Sequence, residues 1–393
     1  MRSILVVTSG RADYGILRPV IRAIDECPEL TLRIAVTGMH LSANYGYTAT
    51  MIEEDGYTID FRIESQVDST SQQGISKSIA NGIFGFGQLF SQWKPDILLL
   101  LGDRYEILAV AVAALPFVIP IAHIHGGEST EGLIDEPIRH SITKMSHLHF
   151  ASTAAYRARI IQMGEEPERV YNSGAPSLDQ IKDLSLVTWE DLVKELGLKS
   201  NDKHLIVTFH PETLDHQNVV SHFNELLSAI NEIGIPAIFT CPNSDTNGIL
   251  IREAINSFVI NSSKYSFVEN LGTVRYFSLM KSGLAMVGNS SSGIIEAASF
   301  NLPVINIGQR QKGRLHSYNV INCDSNKSSI VNAINKAISS KFKDSLIGMQ
   351  NPYGDGDASK RIISVLKSIK IDRFLTMKSF YNLSNTECNT KSD

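Results

Sequence analysis

Short apolar runs alternate with longer segments of helical periodicity through the first part of the chain. We predict helices at the longer segments Ile16–Glu26, Ser71–Trp93, Arg104–Leu115 and Pro137–His147. Strands are predicted at the apolar runs Ile4–Thr8, Leu32–Thr37, Ile97–Leu101, Phe117–His123 and Leu148–Ala151. Strands this apolar, alternating with helices, are typical of a parallel sheet with helices on both faces.

The alternation of strands and helices restarts after about residue 180. A charged helix is predicted near this junction, at Trp189–Leu196. The second set of predicted strands is Leu205–Thr208, Ala237–Thr240, Leu284–Val287, Val304–Ile307 and Asn319–Asn322. Its predicted helices are Val219–Ile233, Thr246–Ser257, Val274–Lys281 and Ser328–Ser339, with one more at Ala358–Lys370. We therefore predict an α/β protein of two doubly wound domains, 1–175 and 176–357, with the C-terminal helix 358–381 as a candidate addition to the first.

Composition agrees with two globular domains and narrows the choice of partner. The 393 residues are 43% hydrophobic and 20% charged, which is enough apolar material for two cores. The balance of 36 Lys+Arg against 41 Asp+Glu gives a net charge of −5. A slightly acidic chain argues against nucleic-acid binding, because phosphate backbones are usually gripped by basic surfaces.

Cysteine usage and hydropathy indicate a cytoplasmic protein without a membrane partner. The four cysteines are scattered and read as ordinary thiols of a reducing compartment: Cys27, Cys241, Cys323 and Cys388. The apolar stretch Ile107–Ala122 is interrupted by Pro116 and Pro120 and is shorter than the roughly 20 residues of a spanning helix. The N-terminal apolar run is too short for a signal peptide.

Polar clusters follow the predicted strands, where open α/β sheets bind their ligands. The first cluster, residues 8–15, places Gly10 and Arg11 before a helix N-terminus, an arrangement that favours anions. A plain strand–turn–helix with a solvated Arg11 is the alternative. His40 follows the second strand, and it is either a ligand contact or a hydrogen-bonded structural residue.

Acidic residues collect after the next strands. Asp103 and Arg104 follow Ile97–Leu101; as an alternative to a catalytic role, Asp103 could cap a helix with Arg104 as its partner. His123, His125 and Glu128 surround the following strand end, where alternation would place both histidines on one side. Two histidines and a glutamate could bind zinc, but without an HExxH motif we predict no metal.

A third acidic segment begins a predicted helix. Asp135 and Glu136 precede Pro137, which suits a first helical position, and Arg139 and His140 follow one turn later. A capped helix start is the alternative explanation. However, Asp103, Glu128 and Asp135 are all expected at one sheet edge, and carboxyl groups gathered in a cleft raise one another's pKa toward values useful for acid–base catalysis.

The second domain carries a phosphate-binding pattern. A Gly/Ser loop, 288–293, lies between a strand and a helix, so its amides, hydroxyls and helix dipole can face phosphates. Glu296 could hold a ribose diol, Arg310 adds positive charge, and His210 follows another strand. Together they indicate a nucleoside-diphosphate site.

In this order the motifs TSGRADYG, VTGMHL, GDRYE, HIHGGE, DEPIRHSITKMSHLH, FHPET, VGNSSSG and GQRQKGR resemble the UDP-N-acetylglucosamine 2-epimerase family, and most closely its hydrolysing branch. The resemblance covers about residues 3 to 356. It implies the GT-B architecture, two Rossmann-like domains with the active site in the cleft between them, and no cofactor. It also implies elimination of UDP from UDP-GlcNAc to 2-acetamidoglucal, followed by hydration to N-acetylmannosamine for sialic acid synthesis.

Family positions carry over residue by residue. The resemblance implies that the catalytic residues are Asp103, Glu128, Asp135 and His210, with the C2 base either Asp103 or Glu128. It implies UDP binding by Arg11, Gly288, Ser290, Ser291, Gly293, Glu296 and Arg310. For the sugar, the expected contacts are His40, Arg104, His125 and Arg139.

Three alternatives stay open at this point. Glu136-Pro137 follows Asp135 where several relatives carry Asp-Ser, and a related branch acts on a 2,4-diacetamido-6-deoxy UDP-sugar of legionaminic acid synthesis. A GT-B glycosyltransferase would share the UDP site, although three clustered carboxylates argue against it. A silent nucleotide-sugar binding module is the third. The family commonly forms homodimers or homotetramers, so a homo-oligomer is expected.

Overall fold

The computed structural model describes residues 1–43, 46–67, 71–131, 134–211, 218–242 and 248–383. The chain divides into two compact units. The first contains residues 1–128, 134–180 and the chain from Tyr353 onward, and the second contains a short segment beginning at Ser129 together with residues 181–352. Residues 176–180 thus group with the first unit, five positions beyond the boundary expected from the sequence.

The first unit is built on a seven-stranded parallel sheet of order β3-β2-β1-β4-β5-β6-β7. Its strands are β1 Arg2–Thr8, β2 Leu30–Thr37, β3 Phe61–Ile63, β4 Ile97–Leu101, β5 Ile121–Ile124, β6 Leu148–Ala151 and β7 Val170–Asn172. The strand order reverses between β1 and β4, and ligands bind at such a switch point in open α/β sheets.

Helices cover both faces of this sheet, and the pleat decides which core each strand residue joins. Ile4 and Val6 of β1 enter one apolar cluster, whereas Leu5 and Val7 enter the other. The helices are α1 Arg11–Asp25, α2 Thr50–Glu54, α3 Gln72–Gln92, α4 Tyr105–Ala114, α5 Asp135–Met145, α6 Ala154–Gln162 and α7 Asp179–Asp183.

The second unit repeats the plan with six parallel strands in the order β10-β9-β8-β11-β12-β13. They are β8 Leu205–Thr208, β9 Ala237–Thr240, β10 Tyr265–Val268, β11 Ala285–Gly288, β12 Val304–Ile307 and β13 Val320–Cys323. Its helices are α8 Trp189–Leu196, α9 Val219–Ile233, α10 Gly248–Val259, α11 Gly272–Ser282, α12 Ser291–Ile295, α13 Lys327–Ile338 and α14 Ser340–Asp344. The order reverses between β8 and β11.

The doubly wound α/β prediction is confirmed, with local corrections. The predicted strand Phe117–His123 is wrong at its start, because Leu115–Phe117 forms a 3-10 turn and Val118 adopts a left-handed conformation before Pro120. The strand β5 begins only at Ile121. The first two residues of the predicted helix Thr246–Ser257 lie outside the described residues, and its described part is α10.

The C-terminal segment returns to the first unit, but as two helices, α15 Ala358–Ser368 and α16 Arg373–Thr376. The carboxylate of Asp179 accepts hydrogen bonds from the backbone N–H groups of Ala358 (2.9 Å) and Ser359 (2.6 Å), so it caps α15 from a distant part of the sequence. Further on, Lys378 pairs with buried Glu165 at 2.7 Å.

Within the described ranges, no helix is long and apolar enough to cross a membrane, and no group of three or more His, Cys, Asp or Glu side chains could hold a metal ion. Cys27, Cys241 and Cys323 are free thiols.

Several buried histidines should make the protein acid-sensitive. Burial lowers the pKa of His40, His147 and His204 to about 4 and that of His123 to about 3, against 6.5 in an unfolded chain. Between pH 4 and pH 6.5 the unfolded chain binds more protons than the folded protein. The stabilisation that comes from keeping these histidines neutral is therefore fully present above pH 6.5 and is lost as the pH falls toward 4.

We expect the free energy of unfolding, measured by urea denaturation, to fall by roughly 1–2 kcal/mol per buried histidine between pH 7 and pH 5. An unchanged or higher stability at pH 5 would contradict this expectation.

Candidate active site

Arg139 joins three parts of the first unit at the carboxyl ends of β4 and β5. Its side chain is only 2% exposed. Nη2 pairs with the carboxylate of Asp103, and Nη1 donates to the backbone oxygen of Glu128 (3.1 Å) and to the carboxylate of Glu136 (2.8 Å). Asp103 is therefore not a helix cap, and its partner is Arg139 rather than Arg104. A quarter of the Asp103 side chain stays exposed and can meet a ligand.

Glu128 is a buried carboxylate with polar support on two sides. It is 2% exposed, lies 2.9 Å from Nδ1 of His125, and accepts a hydrogen bond from the hydroxyl of Ser152 (2.8 Å). The strand β5 ends at Ile124 and His125 has a left-handed backbone (φ 67°), so the alternation of a strand does not extend to His125. The two histidines have different partners. His123 contacts the backbone oxygen of Gly102 (2.7 Å), whereas His125 contacts the carboxylate of Glu128.

Arg104 is held by a carboxylate that sequence reasoning left without a role. Its Nε and Nη2 donate to the two oxygens of Glu106 at 3.1 and 3.2 Å. Glu106 is 2% exposed and lies against the turn at Gly38, where an added Cβ would come within 3.0 Å of its side chain. The pair therefore links the loop after β4 to the turn after β2.

His40 has the surroundings of a hydrogen-bonded structural residue rather than of a ligand contact. The residue is fully buried, with Nε2 3.0 Å from the hydroxyl of Thr8 and Nδ1 2.9 Å from that of Thr48. Both ring nitrogens are thus occupied by neighbouring side chains, and burial keeps the ring neutral by lowering its pKa to about 4.

Asp135 and Arg11 stand at the N-termini of helices. Asp135 is the first residue of α5. Pro137 therefore occupies the third helical position, whereas the sequence suggested the first. Arg11 opens α1 after Gly10 and is exposed, which leaves its guanidinium accessible to an anion.

In the second unit, the Gly/Ser loop ends β11 and begins α12, as predicted. Ser290 is the N-cap of α12, and its hydroxyl accepts from the N–H of Ser292 at 3.3 Å. Gly288 has φ 141°, and a Cβ there would lie 1.9 Å from the backbone oxygen of Thr208. Glycine is therefore required for β11 to turn into the loop beside β8.

Asn289 forms hydrogen bonds with His210 and Arg310, two further candidate residues of the second unit. Its side chain exchanges hydrogen bonds with the backbone of His210, at 2.7 and 2.9 Å. Its backbone oxygen accepts from Arg310 (3.1 Å) and Gln311 (2.8 Å). Burial, and secondly the charge of Arg310, lowers the pKa of His210 to about 3, so this imidazole is neutral at physiological pH. The residues Glu212 and Thr213 of the same motif lie outside the described residues.

Tyr276 of α11 lies beside the Gly/Ser loop, and the sequence did not single it out. Its hydroxyl lies beside the side chains of Ser290, Ser292 and Thr208, and Glu296 is near. Burial raises the pKa of the phenol to about 12, so it stays protonated and can donate to a phosphate or ribose oxygen. The proximity of Tyr276 to the Gly/Ser loop is seen only in the folded structure.

Replacement of Gly288 by alanine is expected to weaken UDP binding at least tenfold, because the new Cβ must displace the backbone of the loop or of Thr208. Calorimetric titration with UDP tests this. Gly56 has φ 88° and open space around its Cβ position, so Gly56→Ala is the matched control for a strained backbone away from the loop. Equal UDP affinity in Gly288→Ala and the unaltered protein would show that the loop does not hold the nucleotide.

Comparisons with known proteins identify the family of the chain. The family model described as UDP-N-acetylglucosamine 2-epimerase matches residues 22–367. The chain belongs to this family. A UDP-N,N'-diacetylbacillosamine 2-epimerase (hydrolyzing) of Legionella pneumophila is 38% identical, over 94% of this chain and 97% of the relative. A GDP/UDP-N,N'-diacetylbacillosamine 2-epimerase (hydrolyzing) of Campylobacter jejuni is 40% identical, over 97% and 99%.

Among solved structures of the family, the UDP-GlcNAc 2-epimerase of Neisseria meningitidis bound to UDP-GlcNAc matches with a TM-score of 0.80 at 18% identity, covering 93% of this chain and 99% of that one. At this identity the match shows the fold, and the GT-B architecture of two Rossmann-like domains is confirmed. The chain is thus an enzyme of the UDP-sugar 2-epimerase family.

Proposed function

We propose that this enzyme is a hydrolysing 2-epimerase that converts UDP-GlcNAc and water into N-acetylmannosamine and UDP, in the cytoplasm and for sialic acid synthesis. The observation that carries the proposal is the pair of carboxylates Asp103 and Glu128 at neighbouring strand ends. Arg139 pairs with the carboxylate of Asp103 and donates to the backbone oxygen of Glu128. Removal of the C2 proton and hydration of the product both need positioned acid–base groups.

The two units divide the work in this proposal. The first acts on the sugar through Asp103, Glu128 and Asp135, with either Asp103 or Glu128 removing the C2 proton. Arg104, His125 and Arg139 are the proposed contacts of the sugar. His40 instead supports the surrounding structure through its hydrogen bonds to Thr8 and Thr48.

The second unit receives the leaving UDP. The backbone amides of Gly288 and Gly293, the hydroxyls of Ser290 and Ser291 and the guanidinium of Arg310 are donors that stabilise charge developing on a departing diphosphate. Glu296 would hold the ribose, and Arg11 of the first unit would add a cation. Neutral His210 can donate one hydrogen bond without adding charge. No cofactor or metal enters these steps.

The test is product identification with UDP-GlcNAc in heavy water. We expect UDP and free N-acetylmannosamine carrying deuterium at C2, seen by proton NMR, without an added acceptor. Release of UDP only when an acceptor sugar is supplied would instead indicate a glycosyltransferase, and binding without turnover would indicate a silent nucleotide-sugar module. Light scattering of the same sample tests the expected homodimer or homotetramer.

A second candidate substrate is the UDP-linked 2,4-diacetamido-2,4,6-trideoxy sugar of legionaminic acid synthesis. It is favoured by the names of the two relatives at 38% and 40% identity. The reaction at C1 and C2 would be the same, since the two sugars differ at C4 and C6. Parallel assays with both UDP-sugars decide between them: a kcat/KM at least about 100-fold higher for one would assign the substrate, because a few unpaired polar groups in a pocket suffice for such discrimination.

A further inference from the structure

Besides Asp135, five carboxylates lie near the strand ends of the first unit. In the described part of the chain, one of these five pairs with neither an arginine nor a histidine. Asp103 and Glu136 contact Arg139, Glu106 contacts Arg104, and Glu128 is supported by His125 and Ser152. The fifth, Asp13, lies in the first turn of α1, directly after β1. In the described part of the chain, its direct side-chain partner is the hydroxyl of Ser9.

The surroundings of Asp13 favour a protonated carboxyl group. Asp103 and Glu106 both act on it as negative charges, and the nearby cation Arg104 has its Nε and Nη2 engaged by Glu106. Enclosure by protein raises the pKa of Asp13 most strongly, and Arg104 and Ser9 offset this only in part.

The proposed reaction needs such an acid. Because the product has the opposite configuration at C2, the proton that returns to C2 must arrive on the face opposite to the base. The base carries its newly acquired proton on the wrong face. A second group, protonated before the reaction begins, is therefore required.

Building on the proposed function, we propose that Asp13 is the acid that protonates C2 in the hydration step. The O–H bond of Asp13 breaks, and the C1=C2 electron pair of the 2-acetamidoglycal takes the proton to form the new C2–H bond. The oxygen of water then bonds to C1 and its proton passes to a carboxylate. Proton transfer from the base, protonated during elimination, reprotonates Asp13. The carboxylate that took the proton of water releases it to solvent, which restores the starting state.

The assignment predicts a separation of the two half-reactions in Asp13→Asn. An amide keeps the shape of the side chain and the contact with Ser9 but cannot supply a proton. We expect UDP release within about threefold of the unaltered enzyme, formation of the free 2-epimer reduced about 100-fold or more, and accumulation of the 2-acetamidoglycal. Asp13→Glu should restore part of the hydration.

The assay follows UDP, glycal and 2-epimer in one NMR time course, on whichever UDP-sugar the enzyme cleaves. Asp25→Asn, at the exposed far end of the same helix, is the matched control and should leave both half-reactions unchanged. A normal ratio of 2-epimer to glycal in Asp13→Asn would overturn the proposal, as would an equal loss of UDP release and hydration in a folded variant.

A second measurement covers a variant that fails to fold. The unaltered enzyme is supplied with 2-acetamidoglycal directly, and its hydration rate is followed from pH 5 to pH 9. The rate should decline with rising pH as the acid loses its proton, whereas a flat profile would overturn the role of Asp13. Failure of the enzyme to release UDP from either sugar would instead refute the proposed function.

Discussion

Replacement of Arg139 by methionine is expected to reduce turnover at least about 100-fold and to lower the free energy of unfolding by about 3–5 kcal/mol. The guanidinium is almost completely buried and contacts Asp103, Glu136 and the backbone of Glu128. Without it, those acidic groups lose their counter-charge, and Asp103 is no longer held at the end of β4. Steady-state kinetics and urea denaturation measure the two effects.

Two further variants separate charge from geometry. Arg139→Lys keeps the positive charge but cannot reach Asp103 and Glu136 with a planar fork, so we expect an intermediate loss of activity. Arg62→Met removes the cation of an exposed pair with Glu53, with both side chains more than 40% exposed, and should cost less than about 1 kcal/mol. Full activity in Arg139→Met would show that the position of Asp103 does not depend on this contact.

The central strands of both sheets were predictable because of how they are buried. All five residues of β4 are buried, and so are all four of β8, which leaves a continuous apolar run in the sequence. The strands that sequence reasoning missed, β3, β7 and β10, lie at sheet edges. They have three or four residues and include partly exposed positions, so no such run marks them.

The placement of the candidate residues at strand ends was predictable from the sequence, but their pairings were not. The rule that ligands collect at strand ends is enough to single out Asp103, Glu128 and the loop at Ser290. The contact between Asp103 and Arg139 joins residues 36 positions apart, and its existence depends on how β4 and α5 pack. Local reasoning instead offered the neighbour Arg104, which the structure pairs with Glu106.

Residues from outside the motifs could not be found in this way. Tyr276 lies on α11, within the sequence of an ordinary amphipathic helix. It lies near the Gly/Ser loop because the apolar residues of that helix pack against Ile206 of β8 and Met286 of β11. Asp13, by contrast, lies inside a recognised motif. Its partner is a hydroxyl, whereas Asp103, Glu106 and Glu136 pair with arginines, and this difference is visible only in the folded structure.

Replacement of Glu128 by glutamine should reduce turnover of the UDP-sugar about 1,000-fold, within the range typical for loss of a general acid–base group. Glutamine has nearly the same shape and still offers an oxygen to the hydroxyl of Ser152, so the fold and the second-unit groups for UDP should be unaffected. We therefore expect UDP affinity, measured by calorimetry, within about threefold of the unaltered enzyme, as uniform binding is separate from the chemical step. Ser152→Ala is the matched control, since it removes one neutral hydrogen bond and keeps the carboxylate; it should cost far less activity.

The product pattern of Glu128→Gln also decides which carboxylate removes the C2 proton. If Glu128 is that base, UDP release and deuterium exchange at C2 disappear together, and Asp103→Asn should then still release UDP at a reduced rate. If Asp103 is the base, Glu128→Gln continues to release UDP and the loss falls on hydration, with the glycal accumulating. Turnover within threefold of the unaltered enzyme would remove Glu128 from the reaction altogether, and the buried contact with His125 would then be structural support for the loop after β5.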